Sequence, residues 1–265
     1  MFKIGIIGIG NMGQAILEGL IKRSGLNSSD IIIYDLNKEK IKDIVEKYEV
    51  AAASDVGYLV NLSEIIFIAV KPKDFEDSVK PALNYFNENK TVISVMAGVP
   101  IYKIKSVIGS SKIIRTMPNT PALIGEGVIG VSFDFEEESK KREITKLLSS
   151  LGEVIEVKEE LMDSITGLSG SGPAYVFTFI DALAMAGVKI GFSYQGALKI
   201  ATQTVLGTAK LLKETAEHPA VLRDKVTSPA GTTIYGLHKL EEKGFKDAII
   251  SAVEEATNRS KQLSK

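Results

Sequence analysis

Apolar residues occur in brief β-branched runs through the first half of the chain, at 3–7, 31–34, 65–70, 91–95 and 112–115. Between them lie stretches with helical periodicity, such as 15–21 and 38–48. A strand apolar at nearly every position has no solvent face, so these runs predict a mostly parallel sheet covered by helices on both sides. Two later runs, 129–133 and 154–157, joined by a helix over 137–148, extend the sheet to its far edge. The first domain then ends at about residue 158.

Beyond Lys158 the strand pattern stops. Val176, Phe179, Ile180, Leu183 and Ala186 recur at the spacing of one helix face. Pro173 suits the first turn of that helix, and Gly187 suits its termination. Ser193 is placed to cap a second helix over 194–213. Between 196 and 209 this helix carries only Lys199 as a charge. With no generous solvent face, it is either central to its domain or buried against another subunit. Further helices are predicted at 220–225, 232–243 and 245–260, the last two parted by Gly244. The expected architecture is an α/β domain over 1–158 followed by an all-α domain over 159–265. A homodimer is the default way to cover the apolar helix.

Composition narrows the possible functions. At 265 residues and 45% hydrophobic, the chain is long enough for two domains with a sizeable core. Its 32 Lys+Arg against 33 Asp+Glu argue against broad nucleic-acid or anionic-membrane binding. The absence of cysteine removes disulfides, thiolate catalysis and cysteine-built metal sites. His218 and His238 form no ligand pair, so no metal is expected. The N-terminus runs straight into a glycine turn, unlike a secretion signal. The most apolar stretch, 173–188, is short for a membrane span and carries Asp181. A cytoplasmic protein is the expectation.

The sequence Gly8-Ile9-Gly10-Asn11-Met12-Gly13 follows the first apolar strand and opens a helix. In that context, G-x-G-x-x-G has a physical purpose. Gly8 permits the tight turn, Gly10 leaves room for a pyrophosphate, and Gly13 lets the helix lie close to the sheet. Free amides at the helix start then receive the phosphates. Asp35, at the end of the second strand, is a candidate acceptor for both adenosine ribose hydroxyls and would repel a 2′-phosphate. It stands farther beyond Gly8 than the usual interval of about 20 residues, an excess that the 24–30 loop absorbs. Lys38 keeps a phosphate-binding reading open, so the tilt is toward NADH over NADPH and no further. Ligands collect beyond the carboxyl ends of such strands, which adds Val70, Lys71 and Pro72, then Ala97 and Gly98, to the cofactor-binding candidates. Asn119 joins them from the rigid segment Met117-Pro118-Asn119-Thr120-Pro121, which would equally suit a structural turn.

Several segments together closely resemble the pyrroline-5-carboxylate reductase family. They are the glycine loop; Val70-Lys71-Pro72; Met117-Pro118-Asn119-Thr120-Pro121; Ser169-Gly170-Ser171-Gly172-Pro173-Ala174-Tyr175; and Leu222-Arg223-Asp224 running into Val226-Thr227-Ser228-Pro229-Ala230-Gly231-Thr232-Thr233. The resemblance implies reduction of (S)-1-pyrroline-5-carboxylate to L-proline by hydride transfer from NADH or NADPH, the final step of proline biosynthesis. It also implies an N-terminal Rossmann domain, a C-terminal dimerisation domain, and active sites completed between subunits. Higher assemblies of dimers occur in the family.

In one place the sequence departs from the family pattern. The family loop usually reads Ser-Pro-Gly-Gly-Thr, and here Ala230 replaces the first glycine. If the backbone needs positive φ there, the alanine carries strain.

The substrate is a small ring with an electrophilic C=N bond and a carboxylate, so orientation does much of the catalytic work. Ser228, Gly231 and Thr232 are the candidates to bind the carboxylate at a helix start. Helix capping is the bland alternative for Ser228 and Thr232. By its match to the family loop, Thr233 is the candidate catalytic residue, hydrogen-bonded to the ring nitrogen.

Overall fold

A computed structural model describes residues 1–263; positions 264 and 265 of the expected helical domain lie outside the described residues. Among the described residues, eight strands form one sheet: β1 Phe2–Ile7, β2 Ile31–Tyr34, β3 Ala51–Ala52, β4 Ser63–Ile68, β5 Thr91–Ser94, β6 Lys112–Met117, β7 Gly127–Phe133 and β8 Gly152–Glu156. Their order is β3-β2-β1-β4-β5-β6-β7-β8. Neighbours are parallel except β6 and β7, which pair antiparallel with Thr116 opposite Val131.

Helices of the first part are α1 Asn11–Arg23, α2 Lys38–Tyr48, α3 Val56–Leu62, α4 Phe75–Val79, α5 Ile101–Ile108, α6 Glu138–Leu148 and α7 Met162–Ile165. They cover the sheet on both sides, as the unbroken apolar strands require. Ile4, Ile6, Ile31, Ile33 and Phe67 pack with Ile16, Leu20, Ile44 and Ile144 from α1, α2 and α6. Alternate residues Ile7, Ile32, Ile66 and Val92 point the other way, onto Leu59, Phe75 and Ile104 from α3, α4 and α5. Two cores thus sandwich one sheet. Each fully buried Ile or Phe contributes roughly 1.5–3 kcal/mol relative to an exposed one.

The remaining helices are α8 Gly172–Lys189, α9 Tyr194–Thr215, α10 Pro219–Lys225, α11 Thr232–Glu242 and α12 Phe245–Leu263. The chain divides into two compact units, one comprising Met1–Ser171 with the stretch from Ala256 onward, the other Gly172–Glu255. This division does not coincide with the expected boundary at 158. Residues just beyond 158 stay with the sheet because Arg115 on β6, only 4% exposed, ion-pairs with Glu159 at 3.5 Å and Asp163 at 3.4 Å. Asp163 also accepts a hydrogen bond from Ser260 at 2.7 Å, which fastens the end of α12 to the same unit.

In the helical unit, Ser193 caps α9 as expected, its hydroxyl accepting from Gly196 N at 3.2 Å. Gly187 does not end α8, which runs on to Lys189 and leaves positive φ to Gly191. Instead Gly187 faces Ala197 so closely that a Cβ there would stand 2.5 Å from the alanine methyl. The missing side chain serves helix–helix approach rather than termination. Of the two expectations for the apolar helix α9, burial within its own domain is not met: it buries Ala197 and Ala201 and exposes Ile200, Leu206 and Leu211. The neighbouring Phe177, Met185 and Tyr235 are exposed as well. The helical run Glu159–Lys189 is long and apolar enough to cross a membrane by length and composition, unlike the shorter stretch read from the sequence. One of its acidic members is held in place, Asp181 accepting from the Tyr194 hydroxyl at 2.9 Å. That bond raises the phenol's pKa above its ordinary value.

Candidate active site

The parallel strands deliver their following loops to one edge of the sheet. Gly8 leaves β1 with φ +92°, which L side chains rarely adopt, and donates to Tyr34 O at 2.8 Å. A Cβ on Gly8 would stand 2.8 Å from Ala69 O, and one on Gly13 would collide with the Gly8 carbonyl oxygen. A Cβ on Gly10 would meet nothing within 4 Å. The three glycines therefore do different work. Two permit close backbone packing, and the third keeps open the space a pyrophosphate needs. Gly10 caps α1 without a side-chain hydrogen bond, and among the described residues no side chain is bonded to the first-turn amides that a phosphate would take. This arrangement fits a dinucleotide.

Asn11 and Met12 form the first turn of α1. Ile9 between the glycines is fully buried, and its N–H donates to Asp35 Oδ2 at 2.7 Å. The other carboxylate oxygen of Asp35 accepts from Asn37 N at 2.9 Å. Asp35 is thus turned toward the glycine loop and the start of α2, a use that spacing alone does not reveal.

The other strand ends gather beside this loop. Ala69 donates to Ile7 O at 2.8 Å and Val95 to Ile68 O at 3.2 Å, which ties the loops after β1, β4 and β5 together. Val70 is half-buried, whereas Lys71 and Pro72 are exposed. Ala97 is exposed and Gly98 is buried with φ +72°. Asn119 is nearly buried and already employed: its Oδ1 accepts from Val128 N at 2.9 Å and its Nδ2 donates to Ser169 O at 3.1 Å. It fastens the 117–121 segment to β7 and to the turn at 169.

The second candidate group lies in the helical unit. Gly231 donates to Ser228 O at 3.1 Å, closing a turn over Pro229 and Ala230. Ala230 has φ +55°. Proline followed by positive φ is the pattern of a type II turn, whose third position favours glycine. Gly231 then caps α11 in extended conformation, with no side-chain hydrogen bond. Among the described residues, neither Ser228 nor Thr232 makes a capping hydrogen bond to the first-turn amides of α11. A Cβ on Gly231 would collide with Ser228 Oγ, so the serine hydroxyl sits directly at that start. Ser228 and Thr232 are exposed and Thr233 is half-buried. His218 is a structural residue: its Nδ1 accepts from Ala220 N at 3.2 Å and caps α10.

A doubly covered, mostly parallel sheet with a glycine loop open at Gly10 defines a dinucleotide-binding protein. Comparison with known proteins makes it an NAD(P)-dependent oxidoreductase. Residues 159–263 match the family described as pyrroline-5-carboxylate reductase dimerisation, and residues 3–98 match NADP oxidoreductase coenzyme F420-dependent. Pyrroline-5-carboxylate reductase of Aquifex aeolicus is 42% identical, covering 98% of this chain and 97% of that protein. Its counterpart from Synechocystis is 43% identical over 99% and 98%. The Plasmodium falciparum pyrroline carboxylate reductase, solved with NADP bound, superposes with a TM-score of 0.90 at 32% identity, covering 100% of this chain and 98% of that one. The chain belongs to the pyrroline-5-carboxylate reductase family.

Proposed function

We propose that this protein reduces (S)-1-pyrroline-5-carboxylate to L-proline with NADH or NADPH, the last step of proline biosynthesis. The observation that carries the substrate half of this reading is the start of α11, where Gly231 leaves first-turn amides without a side-chain cap and Ser228 Oγ stands beside them. A helix start of this kind receives a small carboxylate well.

Gly8, Gly10 and Gly13, with the amides from Asn11 and Met12, hold the dinucleotide, and Ile9 and Asp35 shape the loop. Val70, Lys71, Pro72, Ala97 and Gly98 border it, while Asn119 acts through the segment it fastens. When bound, the reduced nicotinamide supplies the hydride. Ser228, Gly231 and Thr232 fix the substrate carboxylate, and the Thr233 hydroxyl hydrogen-bonds the ring nitrogen. Holding a small imine in one orientation supplies much of the acceleration without an acid–base triad. No histidine is required.

By function the dinucleotide-binding part is 1–158 and the substrate-binding, dimerising part 159–265, a reading supported by the family match that begins at 159, although 159–171 and the end of α12 pack with the sheet unit. The exposed apolar residues of α8 and α9 pack against a second copy, an alternative to a membrane consistent with a cytoplasmic enzyme and with higher assemblies of dimers. The direct test is oxidation of NADH and NADPH, each followed separately with pyrroline-5-carboxylate and with its six-membered analogue. Turnover with the five-membered ring supports the reading. Cofactor binding without turnover on either ring overturns it and points to a binding protein.

A further inference from the structure

One amide of the glycine loop is not available to a phosphate. Ile9 is anchored three ways: its side chain is fully buried in the core, its carbonyl accepts from Gln14 Nε2 at 3.3 Å, and its N–H donates to Asp35 at 2.7 Å. The second Asp35 oxygen accepts from Asn37 N at 2.9 Å. Asn37 in turn caps α2, its Oδ1 accepting from Lys40 N at 3.1 Å. The carboxylate therefore joins the glycine loop to the α2 start. Three residues further along the chain from Asp35, the Lys38 ammonium lies 5.0 Å from the Tyr34 ring centroid.

We propose that Asp35 is a positioning residue for the glycine loop, and that it does not select between a 2′-hydroxyl and a 2′-phosphate on the adenosine ribose. A carboxylate that reads a ribose diol directs both oxygens outward to accept two hydroxyls. Here each oxygen already accepts from a backbone amide, which takes one of its two lone pairs and fixes the carboxylate's direction toward the loop. Those two amides hold the carboxylate against the glycine loop and the start of α2. The inference rests on the nicotinamide-cofactor reading above and concerns only how that cofactor is recognised.

Asp35→Asn tests it. The amide keeps one acceptor but turns a donor toward the other backbone N–H, so the loop loses one of its two fastenings. The expected result is a loss of about tenfold in affinity for NADH and NADPH alike, their ratio staying within about threefold of the wild-type ratio. Fluorescence titration measures both, and circular dichroism checks that the variant is folded. A swing of the ratio by about tenfold or more toward NADPH overturns the inference. The wild-type protein supplies a second test that needs no variant: NADH lacking the adenosine 2′-hydroxyl should bind within about threefold of NADH, whereas a loss of about tenfold contradicts the proposal. If the wild type binds neither dinucleotide, the cofactor reading itself falls and takes this inference with it; a swung ratio overturns the inference alone.

Discussion

The Gly8 carbonyl oxygen occupies the space that a Cβ on Gly13 would need, while Gly10, between them, faces open space. The same motif therefore contains positions of opposite tolerance. Gly13→Ala should destabilise the fold by about 2 kcal/mol or more, because rigid backbone rather than a flexible side chain stands in the way. Gly10→Val should leave the stability of the cofactor-free protein within about 1 kcal/mol of wild type and weaken dinucleotide binding by about tenfold or more. Denaturant unfolding and fluorescence titration, run on both variants, separate the two effects.

Ala230 holds φ +55° in the turn before α11. For a residue with a Cβ this conformation costs roughly 1–2 kcal/mol, and glycine's greater freedom in the unfolded chain returns part of that on substitution. Ala230→Gly should raise stability by about 0.5–1 kcal/mol. The check is the urea midpoint at fixed protein concentration, with the slope of the transition unchanged. A lower midpoint would mean that the turn is relaxed as it stands.

Arg115 is buried between Glu159 and Asp163. Arg115→Ala leaves two carboxylates near the sheet without their cation, so a loss of about 3–5 kcal/mol is expected. Thermal unfolding at constant pH and salt measures it. The loss should exceed that from Lys239→Ala on α11, whose pair with Glu242 is solvent-exposed and worth at most about 1 kcal/mol.

Thr233→Val should lower kcat/KM for the imine by roughly 100-fold, the scale of a lost transition-state hydrogen bond, with cofactor affinity nearly unchanged. Steady-state kinetics and titration together decide. Unchanged kinetics would remove Thr233 from the mechanism.

Much of this molecule is legible in its sequence where a single physical cause dominates. The strand at 31–34 and the helix at 38–48 are recovered to the residue, because unbroken β-branched runs and a strong amphipathic period each admit one structure. The two-residue edge strand β3 is too short to carry a pattern, and the short helices α3, α4 and α5 fall below the length at which periodicity is distinctive. Gly187 reads as a helix stop because glycine serves both termination and close approach; only the position of Ala197 across the helix pair distinguishes them. The site divides in the same way. The glycine loop announces itself through adjacent residues, and the strain at Ala230 is foreseeable from one substituted glycine. The engagement of Asp35 with Ile9, and of Asn119 with Val128 and Ser169, depends on partners supplied by tertiary packing. Spacing carries no trace of those partners.

Under the proposed function, one protein carries both a dinucleotide loop and a carboxylate-binding helix start and works as an imine reductase. The most direct test is the decrease in absorbance of NADH or NADPH when purified protein meets (S)-1-pyrroline-5-carboxylate, with L-proline identified as the product. One proline should form for each dinucleotide oxidised, with that turnover falling by roughly 100-fold in Thr233→Val while the cofactor still binds. Dinucleotide binding with no proline formed would contradict the proposed function.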